Sequence, residues 1–82
     1  MPALVSEQNL GYLLKDARMR RRLTQSEAGQ LVGLEQAVIS RIETGRHALR
    51  VDTLFKLLAA LEYELLLQPR EERLQHEKED AW

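Results

Sequence analysis

The sequence predicts an all-α domain: a bundle of four to five helices plus one short C-terminal strand paired across a homodimer. Three observations predict it. Apolar residues recur at helical spacing in four stretches, two of those stretches are short and separated by a single glycine, and one segment near the end alternates with a period of two. The chain has 82 residues, 44% of them apolar and 30% charged, enough for one small core.

The first helix is capped by Ser6, and Leu10, Leu13, Leu14 and Ala17 follow at i, i+3, i+4 and i+7, so they form one apolar stripe that ends near Arg22. Leu23 leads into Thr24-Gln25-Ser26-Glu27, a capping box in which the threonine and the glutamate each satisfy the other's orphan amide. That box opens a second helix over 24–32, closed by Gly33, where a left-handed residue costs glycine nothing. A third helix is predicted over about 35–44, with Val38, Ile39 and Ile42 inward and Gln36, Ala37, Ser40 and Arg41 on the other side, and Gly45 ends it. In the fourth, Val51, Leu54, Leu57, Leu58 and Leu61 share a face, Phe55 adds bulk, and Asp52 and Thr53 suit the N-terminal turn.

From Tyr63 to Gln68 the pattern changes. Tyr63, Leu65 and Leu67 alternate with Glu64, Leu66 and Gln68 before Pro69. A strand fits this better than a continued helix, although a short apolar run also permits the latter. No second segment offers a partner, so the strand is expected to pair with its own copy about a two-fold axis, through Tyr63, Leu65 and Leu67. The chain thus divides into an N-terminal extension at 1–5, a helical domain at 6–61, a dimerisation strand at 62–69 and a disordered charged tail at 70–82 that ends in Trp82.

Composition excludes several classes. There is no cysteine, hence no disulfide or thiolate metal site, and the chain suits a reducing cytoplasm. The longest apolar run, Leu57 to Leu61, is far short of the ~20 residues that cross a bilayer, and 1–5 does not look like a signal peptide, so no membrane partner is expected. With two histidines, one of them His47 in a loop without neighbouring ligands, and no phosphate-cradling glycine loop, nothing supplies a nucleophile-base pair, a metal or a cofactor site, so no enzyme is expected. The net charge is −1, but residues 15–50 carry eight basic and four acidic side chains, net +4, whereas 70–82 carries three basic and five acidic ones. A basic middle and an acidic end suggest two different partners, a polyanion for the first. Arg20, Arg21 and Arg22 read either as a solvated helix end or as groups facing phosphate.

Two short helices about a glycine turn have the proportions of a helix-turn-helix, in which the second helix enters the major groove. Leu23-Thr24-Gln25 with Glu27, Gly33, Ile39-Ser40-Arg41-Ile42-Glu43 and Gly45-Arg46 resemble the Cro/repressor, or XRE, class of DNA-binding domains across roughly residues 7–61. The resemblance implies a lambda-repressor-like fold and assigns roles by position. Gln25 matches a phosphate-contacting glutamine whose amide can also brace the recognition helix. Gln36 leads base reading, since a carboxamide can donate to adenine N7 and accept from its N6 amino group. Ala37 would offer its methyl to thymine, Arg41 would take guanine or a phosphate, and Ser40 suits either task. Thr44 and Arg46 would hold phosphates, and Arg18 with Glu43 matches a structural ion pair.

Three positions depart from the pattern: Ala28, where a larger aliphatic is usual, Gly29, where alanine is usual, and Glu35, where a small polar cap is usual. Gly29 costs the second helix ~1 kcal/mol unless close packing needs it. Glu35 can accept from cytosine N4 yet would repel phosphate.

The run Leu61-Glu62-Tyr63-Glu64-Leu65 into a strand, with a charged tail ending in Trp82, resembles HipB-type antitoxins. That resemblance implies a cytoplasmic, nucleoid-associated homodimeric repressor of its own operon, bound to palindromic double-stranded operator DNA and neutralising a HipA-like Ser/Thr kinase toxin. Trp82 is then a toxin-contact candidate, or else a stray terminal aromatic. The alternatives are a stand-alone XRE-family repressor and a toxin-binding interaction module with weak DNA binding.

Overall fold

The computed structural model describes residues 6–46 and 48–69, and holds four helices over that range: α1 (Glu7–Arg20), α2 (Gln25–Val32), α3 (Gln36–Glu43) and α4 (Val51–Leu61). The N-terminal extension, His47 and the tail with Trp82 lie outside the described residues. Three of the four N-termini follow from their local chemistry. The Ser6 hydroxyl accepts from the Asn9 amide at 3.0 Å. Thr24 and Glu27 form the reciprocal box, with Glu27 N–H donating to Thr24 Oγ1 at 3.0 Å and Thr24 N–H donating to Glu27 Oε1 at 2.8 Å. Asp52 in the first turn of α4 binds Arg50 and the Thr53 amide, and the Arg50 guanidinium holds its carboxyl below the ordinary 3.8.

The C-termini share one device. Beyond each helix end, at the first residue past α2 and α4 and the second past α1 and α3, the chain turns left-handed, and the following amide reaches back to a carbonyl five residues earlier: Leu23 to Arg18, Leu34 to Gly29, Arg46 to Arg41 and Tyr63 to Leu58. This is the Schellman arrangement. Gly33 and Gly45 occupy the left-handed position after α2 and α3, at φ 74° in both cases, as their sequence positions predict. After α1 and α4 the same position holds Arg22 at φ 59° and Glu62 at φ 60°. Helix α1 therefore stops at Arg20 rather than near Arg22, and the left-handed Glu62 ends α4 at Leu61, so no helix runs on into the alternating segment.

Leu14, Ala17, Ile39, Ile42, Leu57 and Leu61 form the core, and Leu10, Leu23, Val32, Leu34, Val38, Leu49, Leu54 and Leu58 pack around it. Val51 departs from the expected inward stripe: it is 67% exposed, although Leu49 before it and Leu54 after it pack against the core, and Phe55 is exposed as well. Two glycines permit close backbone approach. A Cβ on Gly11 would meet the Ile42 carbonyl at 2.5 Å and the Glu43 carbonyl at 2.8 Å, where α1 crosses the end of α3. A Cβ on Gly29 would run into the Leu34 carbonyl, so the departure from alanine serves the tight α2–α3 turn.

Among the described residues there is no strand. Residues 63–69 leave α4 as an irregular, exposed segment without a ladder partner among the described residues, because a lone segment has nothing to pair with. No described helix is long and apolar enough to cross a membrane. The space enclosed by Leu14, Arg18, Ala28 and their neighbours is about 10 Å³, a packing interstice no larger than one water needs.

Candidate nucleic-acid interface

Helix α3 presents two unlike faces. Val38 is half-buried, and Ile39, Ile42 and Glu43 are buried against the other helices. Gln36, Ala37 and Arg41 are exposed, with Ser40 half-buried beside them. These four lie at i, i+1, i+4 and i+5, which is one continuous strip of helix surface. Thr44 and Arg46 extend it past the helix end and are exposed, the Thr44 hydroxyl donating to the Ser40 and Arg41 carbonyls at 3.1 and 3.2 Å. Glu35 occupies the N-cap position, its side chain exposed and making no cap hydrogen bond. Its carboxylate therefore stands free at the leading end of the strip.

A chain of hydrogen bonds holds this strip to the rest of the fold. Gln36 Nε2 donates to Gln25 Oε1 at 2.6 Å, and Gln25 Nε2 donates to Glu43 Oε1 at 3.0 Å. Glu43 also receives Arg18 Nε on Oε2 at 2.7 Å and Arg18 Nη2 on Oε1 at 3.1 Å, a fork-to-fork pair. Arg18 Nη1 then donates to the Leu23 carbonyl at 2.7 Å. The Glu43 and Arg18 side chains are 4% and 11% exposed, so this charge pair is interior and the network satisfies it; among the described residues no buried side-chain polar atom lacks a partner.

The bracing has a chemical consequence for Gln36. A primary amide carries two N–H donors and an oxygen with two lone pairs. The bond to Gln25 uses one donor and leaves the other donor and the oxygen of this exposed side chain without a hydrogen-bond partner among the described residues, the combination that adenine N7 and N6 require. Gln25 is half-buried, with both ends of its carboxamide engaged inside the network. It sits as a brace between α2 and α3.

The basic residues sort by partner. Arg18 is consumed by Glu43, Arg20 pairs with Asp16 at 2.8 Å, and Arg50 pairs with Asp52 at 3.1 Å. Arg21 turns toward the end of α4: Nε donates to the Leu61 carbonyl at 2.8 Å and Nη2 to the Glu62 carbonyl at 3.2 Å. Its guanidinium also lies 5.4 Å from the centre of the Tyr63 ring. These contacts join residues 40 or more positions apart, and no local pattern in the sequence signals them. Lys15, Arg22, Arg41 and Arg46 have no ion-pair partner among the described residues. No described cluster of His, Asp or Glu could hold a metal ion.

The helix-turn-helix family profile HTH_3 matches residues 14–67, well over half of the chain. Among solved structures, HipB bound to the O4 20mer superposes with a TM-score of 0.75 at 30% identity, covering 87% of this chain and 100% of that one. HipB in the HipA-HipB-O2-O3 complex gives the same values. The restriction-modification controller protein C.AhdI from Aeromonas hydrophila matches with a TM-score of 0.67 at 26% identity, over 70% of this chain and 83% of that one. Comparison with curated protein sequences finds no significant match. A reading strip at the N-terminal end of α3, a glycine turn before it, a profile match across both helices and superposition on HipB over the whole of that chain agree: this chain belongs to the XRE-type helix-turn-helix family, as a HipB-like, non-enzymatic DNA-binding regulator.

Proposed function

We propose that the chain is a homodimeric repressor of its own operon that binds a palindromic operator and neutralises a HipA-like Ser/Thr kinase toxin. The observation that carries the DNA half of this reading is the braced Gln36, held by Gln25 with one donor and one acceptor left for a base edge. Ala37, Ser40 and Arg41 share its strip, and Thr44 and Arg46 continue toward the flanking phosphates. Gln25 then acts first as a brace and only through its remaining N–H as a phosphate contact. The dimer half rests on the exposed apolar side chains of Tyr63, Leu65, Leu66 and Leu67, which a second copy of the segment would cover. The toxin half rests on the likeness to HipB, one structure of which contains HipA. Trp82 is the residue of the tail best suited to a pocket on that partner. A cytoplasmic, nucleoid-associated location follows from such a target.

One feature favours a second reading, a toxin-binding module with weak DNA affinity: the exposed Glu35 carboxylate at the head of α3 would repel phosphate. A gel shift with DNA from upstream of the chain's own gene separates the two. Direct readout is expected to give a retained complex that Gln36→Ala and Arg41→Ala abolish while light scattering still reports a dimer. Retention unchanged by both substitutions would overturn direct readout, and no retention by the unaltered protein would favour the module. A kinase-like neighbouring reading frame favours the antitoxin over a stand-alone repressor.

A further inference from the structure

We infer that Arg21 is a positioning residue that sets the spacing between the two DNA half-sites, by fixing the direction in which the dimerisation segment leaves the helical bundle. This rests on the proposed strand-joined dimer.

Arg21 follows the last residue of α1, yet its guanidinium closes the end of α4 through the Leu61 and Glu62 carbonyls and covers the Tyr63 ring. Those carbonyls belong to the residues at which the chain reverses hand: Glu62 is left-handed at φ 60°, and Tyr63 is the first residue of the departing segment. The Tyr63 amide is itself tied back to Leu58 at 2.9 Å. The first residue beyond the bundle is therefore held through its amide and its ring, and the two carbonyls before it are held by a side chain rooted in α1. The rest of the segment, 64–69, is exposed and makes no hydrogen bond to the bundle among those described. The exit vector is thus determined at one place. In a dimer joined through 63–69, any change in that vector is carried to both α3 helices, in opposite directions. Half-sites separated by one inserted base pair differ by ~3.4 Å and about a tenth of a turn. A dimer pre-organised to one spacing discriminates against the next, whereas a hinged one does not.

The test uses the full chain and a series of palindromic duplexes in which the half-sites are moved apart or together by one and two base pairs. The unaltered protein is expected to prefer one spacing by roughly tenfold or more over its neighbours. Arg21→Ala is expected to flatten that preference by about fivefold or more, with a loss of affinity at the best spacing and little change for a single half-site. Arg21→Lys keeps the charge but lacks the planar fork that reaches both carbonyls while lying against the Tyr63 ring, and it serves as the folded variant should Arg21→Ala lose its helical circular dichroism. It too is expected to flatten the profile. A spacing profile unchanged in a folded Arg21 variant overturns the inference while leaving the repressor reading intact. An unaltered protein that is monomeric, or that binds without any spacing preference, overturns the strand-joined dimer and the inference with it.

Discussion

Substituting Glu43 by alanine tests the network on which the reading strip depends. Glu43 accepts three hydrogen bonds, two from the Arg18 guanidinium and one from Gln25, and its side chain is 4% exposed. Without it, Arg18 keeps the Leu23 carbonyl but stands as an uncompensated interior charge, 11% exposed. Removing one member of a buried pair costs roughly 3–5 kcal/mol, out of the ~5–15 kcal/mol that holds a domain together. In a domain this small each kcal/mol moves the midpoint by about 4–8 °C, so a Tm lower by at least about 12 °C is expected. The assay is urea and thermal unfolding by far-UV circular dichroism, completed by a double-mutant cycle with Arg18→Met, Glu43→Leu and both together. The double variant removes both charges and leaves apolar volume, so it is expected within about 1.5 kcal/mol of the unaltered protein. It still deprives Gln25 of its acceptor, so Gln36 loses its anchor and operator affinity is expected to fall about tenfold without a matching loss of stability. A loss below about 1 kcal/mol for Glu43→Ala, or a double variant as unstable as the two single losses added, would refute the reasoning.

Two further outcomes follow from the same structure. Arg22→Gly is expected to raise stability by about 1 kcal/mol in urea unfolding, because glycine removes the cost of a left-handed side chain at the end of α1; an unchanged or lowered midpoint would show that the Arg22 side chain makes up for its backbone. Leu65→Asp is expected to give monomers by light scattering, with weakened operator binding and unaltered helix content; a dimer of normal stability would place the joint elsewhere.

The middle of the fold was the most legible part of the chain. The capping box at Thr24 and Glu27 and the glycines at 33 and 45 bound α2 and α3 to within a residue, because each uses a residue type that serves its position better than any other. The ends of α1 and α4 were not legible in the same way: they use the same turn, but Arg22 and Glu62 fill its left-handed position, and neither residue type signals one. At Gly29 the sequence leaves open a helix cost or a need for close packing, and the approach of the Leu34 carbonyl to where a Cβ would stand decides for packing. Val51 shares the spacing of the α4 stripe yet is exposed, and spacing alone does not say which members of a stripe find a neighbour to pack against. Residues 63–69 alternate like a strand, but pairing is a property of two segments, and the described residues contain only one of them. In the site, helical spacing alone puts Gln36, Ala37, Ser40 and Arg41 on one strip. The link from Gln36 through Gln25 to Glu43 joins residues 11 and 18 positions apart, a separation no periodicity reports.

That link ties what the protein recognises to how it folds. The amide that would meet the base edge is the outermost member of a hydrogen-bonded series ending on a main-chain carbonyl of the α1–α2 connection. Replacing Gln36 to favour a different operator therefore also leaves Gln25 short of a donor and slackens the support of an internal charge. Drift toward new target sites in this lineage should accordingly run through coordinated exchanges at positions 25, 36 and 43, and a library that randomises position 36 alone should return fewer functional specificities than one that varies all three.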